Sequence, residues 1–147
     1  MQKIEIKISK TEILDKVSLA SAYAGAKNEG DAGLFDRVAT IDADKQLLSE
    51  FWSEICGLII DKLRGFIDSV DNSDLAFILN LQLSNAYDDA LTPSVTEDLC
   101  ALFVTGICGR WFRFTFPGKS SEWLSQSEEL MKRVVSKLCF RRKPKRG

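Results

Sequence analysis

Histidine is absent from the 147 residues. That removes the commonest general base and the usual nucleophile–histidine arrangements. Cysteine is the remaining strong nucleophile and soft ligand, at Cys56, Cys100, Cys108 and Cys139. No two of them have CxxC spacing, and each lies among apolar residues with helical periodicity. This predicts buried free thiols rather than an activated thiolate, a zinc site or a disulfide framework. Three carboxylate pairs stand out: Asp42/Asp44, Asp88/Asp89 and Glu128/Glu129. Paired carboxylates perform acid–base chemistry only in a cleft that perturbs one of them. The first and third pairs read instead as charges at helix starts, and the second sits in a connection. Gly25 to Gly30 has the glycine spacing of a phosphate loop, but Asp31-Ala32 stand where Lys-Ser/Thr is required and no strand leads into it. No catalytic constellation can be assembled. The expectation is a non-enzymatic protein with no catalytic residue, no cofactor and no metal.

The remaining chemistry is charge. Net charge is −1, yet Arg141, Arg142, Lys143, Lys145 and Arg146 place five positive charges at the end of the chain, so the rest carries −6. Such a tail can contact nucleic acid non-specifically or meet an acidic protein surface. The acidic body argues against a dedicated DNA-binding domain. Arg110-Trp111-Phe112-Arg113-Phe114 interleaves cations with aromatics, as single-strand binders do, but its helical setting in the most apolar stretch predicts core packing with the arginines reaching outward. Candidate contact residues are therefore Arg141, Arg142, Lys143, Lys145 and Arg146. Phe35, Asp36 and Arg37, in a long loop over residues 28–39, join them.

The elements that must position these groups follow from periodicity. Lys3 to Ile8 alternates strictly, with Ile4, Ile6 and Ile8 on one face, the pattern of a half-buried strand. Ser9 or Thr11 caps a first helix ending near Lys27, with Ile13, Val17, Ala20 and Ala24 along one face. A second helix starts at Thr40 or Asp42. Its apolar positions, from Leu48 through Phe51, Trp52, Ile55, Ile59, Leu63, Phe66 and Ile67 to Val70, predict seven to eight turns. Leu75 to Leu83 alternates as a second strand, followed by a polar connection over residues 84–91. Pro93 to Phe116 reads as one helix apolar on nearly every side, hence enclosed by the rest of the protein. Ser94-Val95-Thr96-Glu97 fits a capping box at its start, and Pro117-Gly118 stops it. A last helix begins at Ser120 or Ser121, with Trp123, Ser127, Leu130, Met131, Val134 and Leu138 as its apolar stripe.

The expected fold is α+β and predominantly helical: four helices with a small two-stranded sheet, in the order β-α-α-β-α-α. Residues 1–140 form a single domain and residues 141–147 a basic, disordered tail. Two strands alone are marginal, so they must pair with each other over helices or recruit strands from a neighbouring subunit. No apolar signal segment opens the chain, and the longest uncharged apolar run, Leu99 to Gly109, is well short of the roughly 20 residues of a membrane span. A cytoplasmic protein with no membrane contact is expected.

Three stretches carry a family likeness: KIEIKISKTEILDKVSLASAYAGAK near the N-terminus, DRVATIDADKQLLSEFW, and ICGRWFRFTFPGKSSEWL before the last helix and the arginine-rich end. In these, and in length, element order and aromatic placement, the chain resembles small proteins encoded among the virion-assembly genes of Bacteroides-type phages and prophages, of the head–tail connector or neck-ring class. The resemblance implies a structural protein that self-associates or binds portal and tail proteins as a homo-oligomeric ring, and passes from the cytoplasm into the virion. The basic tail would then face DNA or a partner ring, and the strand Leu75 to Leu83 would extend a sheet into the next subunit. The alternative is a cytosolic helical interaction or regulatory protein of a mobile element, with weak nucleic-acid contact through its tail.

Overall fold

Alternation in the first eight residues does produce a strand. In the computed structural model, which describes residues 1–26 and 44–142, β1 (Gln2–Ser9) buries Ile6 and Ile8 while Lys3, Glu5 and Lys7 stay exposed. α1 (Lys10–Ala26) follows directly, and Ser9 caps it: its Oγ accepts from the Glu12 amide at 3.4 Å. The expected starts of the second helix at Thr40 or Asp42 lie outside the described residues. Within them α2 covers Lys45–Lys62.

Here the structure departs from the expected helix through Val70. α2 ends at Lys62, Leu63 closes its last turn by donating to Ile59 O at 2.9 Å, and a 3-10 turn, Arg64–Phe66, reverses the chain. The residues that follow form a strand, β2 (Ile67–Asn72), which pairs antiparallel with β3 (Ala76–Leu83). Among the described residues the sheet therefore has three strands in the order β1-β3-β2, all antiparallel, and the element order is β-α-α-β-β-α-α. The two-stranded expectation fails because β2 carries a bulge. Ile67 pairs with Leu81, Ser69 with Asn80 and Val70 with Leu79, so Asp68 is the inserted residue. A bulge sets two core-facing positions three apart instead of two. In sequence, Ile67 and Val70 thus continue the three- and four-residue steps of the preceding helix. The turn at 73–75 is closed by Ser73, whose amide donates to Ala76 O at 3.0 Å and whose Oγ accepts from the Ala76 amide at 3.2 Å.

β3 is the central strand, with Phe77, Leu79 and Leu81 fully buried against Ile8, Ile6 and Ile4 of β1. Both of its edges are occupied, so it cannot extend a sheet into a neighbouring subunit. The outer edges belong to β1 and β2. One face of the sheet is covered by helices; the other carries Lys3, Glu5, Lys7, Asn80, Gln82, Ser69 and Asp71.

α3 (Thr92–Thr115) is the enclosed helix. It packs against α1, α2 and β1, and most extensively against α4 (Pro117–Cys139). Leu99, Phe103, Ile107, Cys108 and Phe112 are fully buried. Trp52 of α2 stacks on Phe103 at 4.3 Å, and Phe103 meets Phe77 of β3 edge-on at 5.9 Å, so an aromatic column runs from α2 through α3 to the sheet. The helix begins one residue before Pro93, so Ser94 lies inside its first turn and not at the N-cap; the expected capping box does not form, and Ser94 Oγ accepts from Lys137 Nζ at 2.6 Å. Phe116, with φ −153° and ψ 67°, is the single residue separating the two helices. A residue before proline is kept out of the helical region, and proline suits the first helical position. Pro117 therefore starts α4 three residues ahead of the expected serines. Ser120 is buried and donates to Gly109 O at 2.9 Å rather than capping.

Two glycines let these helices approach α3. A Cβ on Gly106 would lie 2.6 Å from Ile55 Cδ1, and one on Gly109 would lie 2.7 Å from Leu124 Cγ.

Candidate interaction surfaces

Of the residues singled out for contact, Phe35, Asp36, Arg37, Lys143, Lys145 and Arg146 lie outside the described residues. Arg141 and Arg142 lie within them, and their backbone is anchored. Arg141 forms an antiparallel bridge with Tyr87, and the Arg142 amide donates to Ala86 O at 2.7 Å. The Arg141 guanidinium donates to Cys139 O at 2.9 Å and also reaches Leu138 O at 3.4 Å, neutralising the carbonyl end of α4. The connection that receives them is itself well bonded to the rest of the fold. Tyr87 is buried with its hydroxyl 3.1 Å from Thr92 Oγ1, and Gln2 Nε2 donates to Asn85 O at 3.0 Å and to Tyr87 O at 2.7 Å. The positive charge thus starts at a fixed point beside the β1–β3 end of the sheet.

The cation–aromatic run at residues 110–114 is core, as its helical setting predicts. Trp111 and Phe112 are buried, and Phe112 packs edge-on against Trp123 at 5.3 Å. Arg110 is held at Glu54 by a 2.8 Å ion pair and also donates to Gly106 O at 3.1 Å, which clips α3 to α2. Phe114 is the exception: it is 71% exposed and stacks at 6.4 Å on Phe51.

Cysteine placement is mixed. Cys56 and Cys108 are buried as expected, Cys100 is half-buried, and Cys139 is exposed; all four are free thiols. Burial pushes Cys56 and Cys108 up to about 12. Cys100 is also raised by burial, against an opposing pull from Lys16. A thiol held protonated is a poor nucleophile and metal ligand. Among the described residues, no three or more Cys, Asp or Glu side chains gather as a metal site.

Two features were not read from sequence. One is a polar knot between α3 and α4: Asp98, almost fully buried, accepts from Lys137 Nζ at 2.6 Å and lies 3.8 Å from Arg133 Nη1. Lys137 and Arg133 lie late in α4, where cations complement a helix dipole, and only the helix pairing brings Asp98 to them. The other is an open groove of about 770 Å³ between α2 and α4, floored by Leu102 of α3. Leu58, Met131 and Val135 make it apolar; Lys62, Glu128 and Lys132 are its charged rim. Leu58 is 42% exposed there. Fitting Met131 into the stripe of α4 was the available signal, but nothing in α2 marked Leu58 as its neighbour. Among the described residues, the groove's polar lining is Ser127 and Ser136 beside that charged rim, on a surface that is mostly apolar.

By length and composition, the segment Asp89–Thr115 could cross a membrane, although its longest uncharged run is short. In this fold, half of its apolar window is covered by the rest of the protein. No family model, curated protein or solved structure matches this chain.

Proposed function

We propose that this protein is a non-enzymatic virion structural or assembly protein, acting at the phage head–tail junction by binding copies of itself or neighbouring portal and tail proteins. The observation that carries the association part of this reading is the apolar groove between α2 and α4. It is open, mostly apolar and carries mixed charge among its lining residues, which suits a partner's side chains or helix better than a small substrate. Placement at the head–tail junction rests on the likeness in residues 3–27, 36–52 and 107–124. In this role the protein folds in the cytoplasm and then enters the particle. Within the described residues, Arg142 continues from a backbone bonded to Ala86, and with the basic residues that follow it in the sequence it supplies positive charge for an acidic partner surface or DNA.

Mass spectrometry of purified particles from induced prophage tests the reading. The expected result is this protein at the copy number of a portal ring. Recovery only from the soluble lysate, with DNA retention that disappears when the chain is cut after Phe140, would replace it with a regulatory protein of a mobile element.

A further inference from the structure

β1 is a sheet edge of a kind that folded proteins usually protect. Every other residue of an edge strand turns its amide and carbonyl away from the sheet. Among the described residues, nothing hydrogen-bonds to that side of β1; its ladder is with β3 alone. The opposite edge, β2, is short and bulged at Asp68, two devices that discourage pairing and that β1 lacks. β1 has eight residues in unbroken register, with no proline, glycine or bulge.

We propose that the free edge of β1 binds β1 of a second copy of this chain, antiparallel about a two-fold axis through Ile6, joining two three-stranded sheets into one. The occupant is specified by charge. With Ile6 opposite Ile6, Glu5 of each copy faces Lys7 of the other, and Ile4 faces Ile8. Both cross-strand ion pairs are complementary, and the apolar row of the core face continues across the junction. Shifting the axis to Glu5 sets Glu5 against Glu5 and Lys3 against Lys7, all like charges. An axis through Ile4 also sets opposite charges together, Lys3 against Glu5, but it overlaps only residues 2–6 of the strand, against residues 3–9 about Ile6, and it places Gln2, already committed to the carbonyls of Asn85 and Tyr87, opposite Ile6. The alternation that buries one face of β1 therefore also encodes a self-complementary register on its exposed face. This inference rests on the assembly reading, since it supplies one of the contacts by which copies associate.

Sedimentation velocity on the full chain, from about 1 to 100 µM, covers the affinity range of a small interface. The expected result is a reversible dimer. Glu5→Lys puts lysine against lysine twice per dimer and should weaken it at least tenfold, by roughly the swing of two cross-strand pairs from favourable to unfavourable. The double variant Glu5→Lys, Lys7→Glu restores opposite charges in the same register and should recover affinity to within about threefold. All three side chains are exposed, and matched far-ultraviolet circular dichroism establishes that the variants fold. A protein that stays monomeric throughout overturns the proposal. So does a dimer indifferent to Glu5→Lys, or one rescued by Lys3→Glu rather than Lys7→Glu. Particle mass spectrometry separates the two failures: a monomer found in particles overturns only the β1 pairing, whereas a β1 dimer absent from particles overturns only the virion assignment.

Discussion

Alanine at Gly109 tests the packing of α4 on α3 most directly. A Cβ there would sit 2.7 Å from both Leu124 Cγ and Cδ2, and 3.2 Å from the Leu124 backbone nitrogen. The Cγ is not the free end of a flexible side chain, and the backbone nitrogen cannot rotate aside, so the first turns of α4 must move. That movement stretches the 2.9 Å bond from Ser120 Oγ to Gly109 O and disturbs the edge contact of Phe112 with Trp123. Overpacking costs about 1–3 kcal/mol; because a backbone atom is met here, the upper part of that range, about 2–3 kcal/mol, applies, and the better helix propensity of alanine returns about 1 kcal/mol. The net expectation for Gly109→Ala is a loss of about 1–2 kcal/mol, or a Tm lower by about 3–8 °C for a domain of this size. Gly57, in the exposed middle of α2, is the control. Nothing lies within 4 Å of a Cβ added there, so Gly57→Ala should stabilise by about 0.5–1 kcal/mol. Gly106→Ala should fall between the two, because the atoms it meets, Ile55 Cδ1 and Ser127 Oγ, are side-chain ends. Urea unfolding followed at 222 nm measures all three. A Gly109→Ala protein as stable as the parent, or a Gly57→Ala protein less stable, would refute this account of the helix contacts.

Asp98→Ala should cost about 1.5–3 kcal/mol by leaving the half-buried Lys137 ammonium with Ser94 as its remaining partner, whereas Lys132→Ala, which removes an exposed 3.5 Å pair, should stay within about 0.5 kcal/mol in the same titration. A thiol reagent should label Cys139 first and Cys100 slowly; Cys56 and Cys108 should react only on unfolding, and peptide mapping against time would show any other order. Between pH 9 and about 12 the unfolded chain releases the protons of Cys56 and Cys108 while the folded chain keeps them. Folding stability should therefore fall as pH rises through that window, and replacing both residues with alanine should flatten the slope of ΔG against pH. Leu58→Asp should leave the fold intact, since this side chain is already 42% exposed, yet reduce incorporation into particles as counted by mass spectrometry; unchanged incorporation would dismiss the α2–α4 groove as a contact.

Much of the architecture is legible in local pattern. The alternation of residues 3–8 and 76–83 can bury one face only as strands, the uncharged, mostly apolar run of residues 99–109 can be satisfied only inside the molecule, and the stripe at Leu130, Val134 and Leu138 can lie only on a helix against it. The absence of histidine likewise bounds the chemistry without any coordinates. β2 is not legible, because Ile67 and Val70 are spaced like a helix face and the residues around them, Asp68, Ser69, Asp71 and Asn72, are weak strand formers. Those residues become a strand because β3 is central, and its backbone groups must be bonded on both edges. The same limit applies to every candidate contact. Asp98 meets Lys137, Leu58 lines a groove with Met131, and Arg142 docks on Ala86 across separations of 39 to 73 residues in the chain. Periodicity reports which face of an element is apolar; which other element covers that face is decided only by how the helices cross and how the strands pair.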